Sequence, residues 1–197
     1  MTITAEDITA VILAGGQGRR MGGQDKGLLD FNGRPLVALL IDELERQALA
    51  IVINANRNLQ RYRSFGYPVV NDQLEDYQGP LAGFASAMHA VKTDFILTLP
   101  CDGPTLADDY AARFMARFEQ TGAPVIVAFD GERLQPVHAL IRTSLRPSLD
   151  RFLATGDRKI DRWYASHDYA QADFSDCADM FRNINTPSDR QDLQASQ

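Results

Sequence analysis

A stretch of fifteen residues, Leu13-Ala-Gly-Gly-Gln-Gly-Arg-Arg-Met-Gly-Gly-Gln-Asp-Lys-Gly27, carries six glycines and three basic side chains directly after an apolar run. Glycine lets successive backbone N–H groups turn toward one point, and such a nest holds anionic oxygens. Arg19, Arg20 and Lys26 make the same segment locally positive. The chemistry this favours is the cradling of a polyphosphate. Two familiar phosphate loops do not fit. A P-loop needs Gly-Lys-Ser/Thr, whereas Lys26-Gly27 precedes Leu28. A dinucleotide fingerprint needs a glycine where Met21 stands and an acid at the end of the second strand, where Asn54 stands. The loop is a phosphate cradle of a third kind.

The elements that must position this loop alternate along the chain. Residues 8–13 form an apolar strand that runs straight into the glycines. Residues 36–49 have helical spacing, with Val37, Leu40, Ile41, Leu44 and Ala48 on one stripe and Pro35 at the first helical position. The β-branched run 51–53 reads as a buried strand ending at Asn54-Ala55-Asn56, followed by a helix over 59–65. A brief strand at 68–70 ends at Asn71-Asp72. A helix over 80–91, a strand over 95–99 stopped by Pro100, a helix over 107–120 and a strand over 125–129 repeat the pattern. Alternation with nearly continuous apolar strands predicts an α/β fold, a parallel sheet with helices on both faces.

Beyond Phe129 the grammar changes. Asp130-Gly131 is a hairpin signal, so 135–141 is expected to return antiparallel and make the sheet mixed. A helix is expected around 149–153, and 157–179 gives no clear element. Thr186-Pro187-Ser188-Asp189 is a capping box that opens a C-terminal helix. In such sheets ligands sit at the carboxyl ends of the parallel strands. Four of those ends carry Gly15-Gly16, Asn54, Asp72 and Asp102, and their convergence is the main inference from organisation.

Composition narrows the function classes. The 197 residues are 45% apolar and carry a net charge of −6, with no repeat or linker, so one domain over 1–197 is expected. The acidic balance, with pI ≈ 5.0, argues against nucleic acid as a partner. No apolar run approaches the ~18 residues of a membrane span, and the N-terminus is acidic where a secretory signal is basic. Cys101 and Cys177 make neither a disulfide framework nor a zinc motif. A soluble cytoplasmic protein is expected.

The segment at 13–26 is similar to the L-A-G-G-x-x-x-R-M-G-x-x-x-K signature of bacterial molybdenum cofactor guanylyltransferases, members of the nucleotidyltransferase superfamily. The resemblance continues at Gly79-Pro-Leu-Ala-Gly83, Pro100-Cys-Asp-Gly-Pro104 and Asn183-Ile-Asn-Thr-Pro187. Four motifs in order, spanning nearly the whole chain, make it specific. It implies a three-layer Rossmann-like nucleotidyltransferase fold, with the nucleotide on the N-terminal part and the acceptor pterin on the C-terminal part. The implied reaction moves GMP from GTP to the phosphate of molybdenum-molybdopterin, with Mg²⁺ as cofactor.

By the same resemblance, the backbone at Leu13, Ala14, Gly15 and Gly16 approaches the nucleotide, supported by Gly83. Arg20 and Lys26 would neutralise the phosphates, Asn54 and Asp72 hold the nucleoside, and Asp102 binds the metal. Asn183 and Asn185 would return to the site from the C-terminal side, to orient the pterin or to complete the phosphate environment. Arg20, Lys26 and Asp102 form the implied catalytic set. Other molybdenum-cofactor biosynthesis proteins and target molybdoenzymes are implied partners, and a monomer is expected.

Cys101 with His138 is set aside as a nucleophile and base, because the transfer needs no covalent step and a cysteine at a buried strand end is a packing residue. Transfer of CMP from CTP to the same pterin, another NTP-dependent nucleotidyl transfer, and a nucleotide-binding regulatory module without turnover stay open. Titration with GTP against CTP separates the first, and pyrophosphate release the last.

Overall fold

The computed structural model describes residues 2–16, 23–72 and 79–195. In chain order, β1 (Ile8–Leu13) leads to a small hairpin of β2 (Asp30–Phe31) and β3 (Arg34–Pro35), then α1 (Leu36–Arg46) and β4 (Ala50–Asn54). Next come α2 (Leu59–Arg63), β5 (Val69–Val70), α3 (Pro80–Ala90), β6 (Phe95–Pro100) and α4 (Tyr110–Thr121). The remainder holds β7 (Val125–Phe129), β8 (Leu134–Arg142), α5 (Arg146–Ala154), α6 (Ile160–Tyr164), β9 (Tyr169–Asp173) and α7 (Pro187–Ala195). Seven strands make one sheet in the order β5-β4-β1-β6-β8-β7-β9. β8 runs antiparallel to both of its neighbours, and the other pairings are parallel.

Period-two alternation along the strands builds two separate cores. Ile8, Ala10 and Ile12 of β1, Phe95, Leu97 and Leu99 of β6, and Ile126 and Ala128 of β7 face α1 and α4. Val11, Ile96, Val125 and Val127 face the other way, onto α3, α5 and α6. The α4 stripe Tyr110, Phe114 and Phe118 recurs every four residues and is buried throughout. The result is a three-layer α/β/α sandwich of mixed, mostly parallel sheet, as expected. None of the helices among the described residues is long and apolar enough to cross a membrane.

Three expectations change in detail, and a short hairpin adds to them. Pro35 caps α1 in extended conformation rather than opening it. The hairpin after β7 is wider than two residues: Asp130 Oδ1 accepts from the backbone N–H groups of Glu132 (2.9 Å) and Arg133 (2.8 Å). The 157–179 stretch contains α6 and the parallel edge strand β9, of which only Ala172 is buried. The β2–β3 hairpin turns on Asn32 (φ 53) and Gly33 (φ 84), the left-handed pair that Asn-Gly favours.

Between Val127 and Ala128 the register of β7 on β8 shifts, and β8 bulges over residues 136–138. The bulge carbonyls are satisfied from the neighbouring strand and from α6: Thr98 Oγ1 donates to Val137 O (2.7 Å) and Tyr164 Oη donates to Pro136 O (2.8 Å). Pairing of β6 with β8 ends at Thr98–Ala139, so the last two residues of β6 continue alongside β1 alone. The sheet is thereby split at its carboxyl edge, where the site lies.

Candidate active site

Three parallel strands end side by side at this edge and are stitched together just beyond their last residues. Ala14 N donates to Asn54 O (2.7 Å) and Cys101 N donates to Leu13 O (3.2 Å). The stitches bring Gly15, Asn54 and Asp102, from sequence segments far apart, onto one rim.

On one side of the rim Asp72 is held through both carboxylate oxygens and its backbone N–H. Asn54 Nδ2 donates to its Oδ1 (2.9 Å) and Asn56 Nδ2 to its Oδ2 (2.7 Å), while its own N–H donates to Asn56 Oδ1 (2.8 Å). Two glycines clear the space for this network. A Cβ on Gly83 would stand 2.6 Å from Asn54 Oδ1 and 2.7 Å from Leu13 Cδ2. One on Gly15 would stand 2.8 Å from Asn56 Nδ2 and 3.2 Å from Asn54 Oδ1. Gly16 has open space around its Cβ position. Asn56 was not singled out from the sequence. Its signal was there, two residues after Asn54 and so on the same side of the extended chain.

On the other side Lys26 Nζ lies 2.9 Å from Asp102 Oδ2 and 2.5 Å from Asn185 Oδ1. The reason Asn185 arrives here is local: Ile184 N donates to Asp102 O (2.8 Å), and Ile184 is buried with Phe31, Leu36 and Leu193. With Ile184 inward, alternation puts Asn183 and Asn185 on the opposite side, where both line a cleft of about 350 Å³ with Arg133, Gln135, Arg182 and Asp189. The capping box holds the following helix: Asp189 N donates to Thr186 Oγ1 (3.1 Å), and Asp189 Oδ2 accepts from the N–H groups of Thr186 and Asn185 (2.8 Å each).

Asp102 Oδ1 is buried and, among the described residues, has no hydrogen-bond partner. An unpaired buried carboxylate oxygen is costly unless a donor or a cation meets it. The arrangement fits a divalent cation. Among the described residues no three His, Cys, Asp or Glu side chains gather at one point, so such an ion would rest on Asp102 and on substrate oxygens. Arg19 and Arg20 lie outside the described residues.

Cys101 and His138 do not behave as nucleophile and base. Burial, together with the carboxylates of Asp102 and Asp25, pushes the Cys101 thiol well up, so it stays protonated. Burial lowers His138 to about 3, and its Nδ1 lies 3.0 Å from Tyr110 Oη.

Residues 10–172 match the MobA-like NTP transferase domain. A molybdenum cofactor guanylyltransferase of Shewanella halifaxensis (strain HAW-EB4) is 48% identical over 186 residues, 94% of this chain and 93% of its own. The chain belongs to the molybdenum cofactor guanylyltransferase family. Among solved structures, the molybdopterin-guanine dinucleotide biosynthesis protein A of Archaeoglobus fulgidus superposes with a TM-score of 0.80 at 19% identity, over 95% of this chain and 97% of its own. A manganese complex of Rv0371C from Mycobacterium tuberculosis H37Rv superposes at 0.66 with 17% identity, over 96% and 99%. The domain match stops at Ala172, short of Asn183 and Asn185, whereas the guanylyltransferase relative matches 94% of the chain.

Proposed function

We propose that this guanylyltransferase family member transfers GMP from GTP to the terminal phosphate of molybdenum-molybdopterin, giving the guanine dinucleotide cofactor and pyrophosphate. The observation that carries the reading is the meeting of Lys26, Asp102 and Asn185 at the split carboxyl edge of the sheet, with one oxygen of Asp102 unpaired among the described residues.

The terminal phosphate oxygen of the pterin attacks the α-phosphorus of GTP in line. A new P–O bond forms as the bond from the α-phosphorus to the bridging oxygen breaks, and its electron pair leaves with pyrophosphate. The attacking oxygen is already ionised at neutral pH, so no side chain need act as a strong base. Catalysis then rests on positioning and charge neutralisation. The Lys26 ammonium, with Arg20, holds the outer phosphates and the departing pyrophosphate. The backbone at Leu13, Ala14, Gly15 and Gly16 lies against the nucleotide, and Gly83 keeps α3 close enough to close that side. Asn54 and Asp72 hold the nucleoside, while Asn183 and Asn185 orient the pterin or complete the phosphate environment. A divalent cation, Mg²⁺ in this reading, would be held by Asp102 and supplies Lewis-acid polarisation of the phosphate oxygens when bound.

The chain works as a single nucleotidyltransferase domain and as a monomer in the cytoplasm. It passes its product to other molybdenum-cofactor proteins and molybdoenzymes. Incubation with GTP, Mg²⁺ and molybdenum-loaded pterin, followed by mass spectrometry, tests the assignment. The dinucleotide should appear with one pyrophosphate per turnover. A folded protein that binds GTP and makes neither product would be a binding module instead.

A further inference from the structure

The residue before Lys26 is a carboxylate with a role of its own. The Asp25 side chain is only 6% exposed and is met from several directions. Tyr62 Oη donates to its Oδ1 (2.5 Å), Asn58 Nδ2 donates to its Oδ2 (2.9 Å), and Arg57 Nε stands 3.6 Å from the same oxygen. The Arg57 guanidinium then reaches past Asp25. Nη1 donates to Gly23 O (2.6 Å) and Nη2 to Gln24 O (2.7 Å). Tyr62 is fully buried, and burial raises its hydroxyl far above the usual phenol range, so it stays a donor. Gly27 makes the arrangement sterically possible, because a Cβ there would stand 2.6 Å from Tyr62 Oη. Asn58 contributes its amide from a left-handed backbone at φ 51. These donors come from residues 57–62, directly after the Asn54 and Asn56 pair that grips Asp72.

We infer that Asp25, Arg57 and Tyr62 are positioning residues that clip the exit of the glycine loop, so that Lys26 is presented to the outer phosphates of a nucleoside triphosphate from a fixed backbone. The inference rests on the reading of Lys26 given above. Gly23 and Gln24 are exposed, so water would serve their carbonyls about as well as Arg57 does. Exchanging water for a guanidinium there gains little stability. What the fork does add is geometry. A planar guanidinium bonded to two successive carbonyls fixes the path of the chain two residues before Lys26. Lys26 carries a long, rotamer-rich stem, and its productive placement depends on where that stem begins.

The test compares binding of GTP and GMP by isothermal titration in the parent, Lys26→Ala, Arg57→Ala, Tyr62→Phe and the double variant Lys26→Ala/Arg57→Ala. Thermal melts are run beside them. Lys26→Ala should weaken GTP far more than GMP. Arg57→Ala should do the same in smaller measure, about fivefold or more for GTP and less than about twofold for GMP, as losing a pair of positioning hydrogen bonds would. Tyr62→Phe keeps the shape of the buried ring, removes only the bond to Asp25, and carries the same test if Arg57→Ala does not fold. In the double variant the clip has no ammonium left to position, so Arg57→Ala should cost no further GTP affinity.

Equal weakening of GTP and GMP, unchanged GTP binding in both Arg57→Ala and Tyr62→Phe, or additive losses in the double variant would each overturn the clip. In those cases a selective Lys26→Ala leaves the reading of Lys26 intact. If Lys26→Ala itself treats GTP and GMP alike, that reading falls, and the clip falls with it.

Discussion

Asp72 and Asp102 stand at the same edge of the same sheet, each at or just past the end of a parallel strand, yet their surroundings are opposite. Both oxygens of Asp72, and its N–H, are engaged by Asn54 and Asn56. Asp102 gives one oxygen to Lys26 and keeps the other buried and, among the described residues, unpaired. A carboxylate held by a donor on each oxygen is a strut: its position is fixed, and removing it takes away the acceptors that its amides used. A half-satisfied one keeps acceptor capacity that a ligand can use. The same residue type, set by one extra pair of asparagines, thus shapes a rigid nucleoside side in one place and serves the phosphate chemistry in the other.

Exchanging each for alanine should break that contrast most sharply. Asp102→Ala should lower turnover by on the order of 10³-fold and abolish its dependence on divalent cation, with a melting temperature close to the parent's. Asp72→Ala should retain measurable turnover and lose stability, about 2 kcal/mol, because the buried Asn54 amide and its Asn56 neighbour lose their shorter acceptors. Steady-state rates with a metal titration, paired with chemical denaturation, distinguish the two. If Asp102→Ala kept cation-dependent turnover near the parent level, the open oxygen would have no part in the reaction.

Lys26→Ala comes next in size. Loss of a charge-assisted contact to the outer phosphates should weaken GTP roughly 10- to 100-fold and leave GMP nearly unchanged. Equal losses for the two nucleotides would place the ammonium elsewhere.

The strut was harder to see in the sequence than the open carboxylate. Asp102 sits in a motif after an apolar strand, so its place could be read directly. Asn54 and Asp72 were legible as strand ends, but their bond, and the part of Asn56 in it, depend on how β4 and β5 lie beside each other. Lys26 and Asn185 are 159 positions apart in sequence, and no local pattern announces that they touch. The central strands were legible because burial on both faces demands runs such as Ile51-Val52-Ile53. β9 was missed for the converse reason. As an edge strand reading Tyr-Ala-Gln-Ala-Asp it shows the core little besides Ala172, and it carries no apolar run to find. The clip around Asp25 was invisible for a third reason, since a buried aspartate in a glycine-rich polar segment looks like any turn residue.

His138 lies in the bulge of β8 and offers a pH test of how tightly this part of the sheet is packed. Burial lowers its pKa to about 3, against roughly 6.5 in an unfolded chain. The folded state prefers the neutral ring, so the unfolded chain binds the extra proton between these values. The contribution is fully present above pH 6.5 and is lost progressively as pH falls toward 3. Between pH 6.5 and 5 the loss is about 2 kcal/mol. Denaturation midpoints followed from pH 8 to 4 should fall more steeply in the parent than in His138→Leu. Parallel curves would mean that the ring reaches solvent and is not locked beside Tyr110.

The smallest effect tests the glycine that lies against the strut. Gly15→Ala places a methyl where Asn56 Nδ2 would be only 2.8 Å away, so the Asn56 amide must swing off. Doing so breaks its bonds to Asp72 Oδ2 and Gly15 O, and the displaced group moves toward the nucleoside side of the rim. A purine fills more of that space than a pyrimidine does. The parent should prefer GTP over CTP by more than about tenfold, equivalent to ~1.4 kcal/mol. The variant should lose about fivefold of that preference, chiefly through weaker use of GTP, as one displaced polar contact would predict. Catalytic efficiencies for both nucleotides in parent and variant measure this directly. Equal losses for GTP and CTP would mean that Asn56 acts on the sugar or the phosphates and leaves base choice to other groups. A parent indifferent between the two nucleotides would remove guanine selection from this rim altogether, while the contrast between the two aspartates would stand.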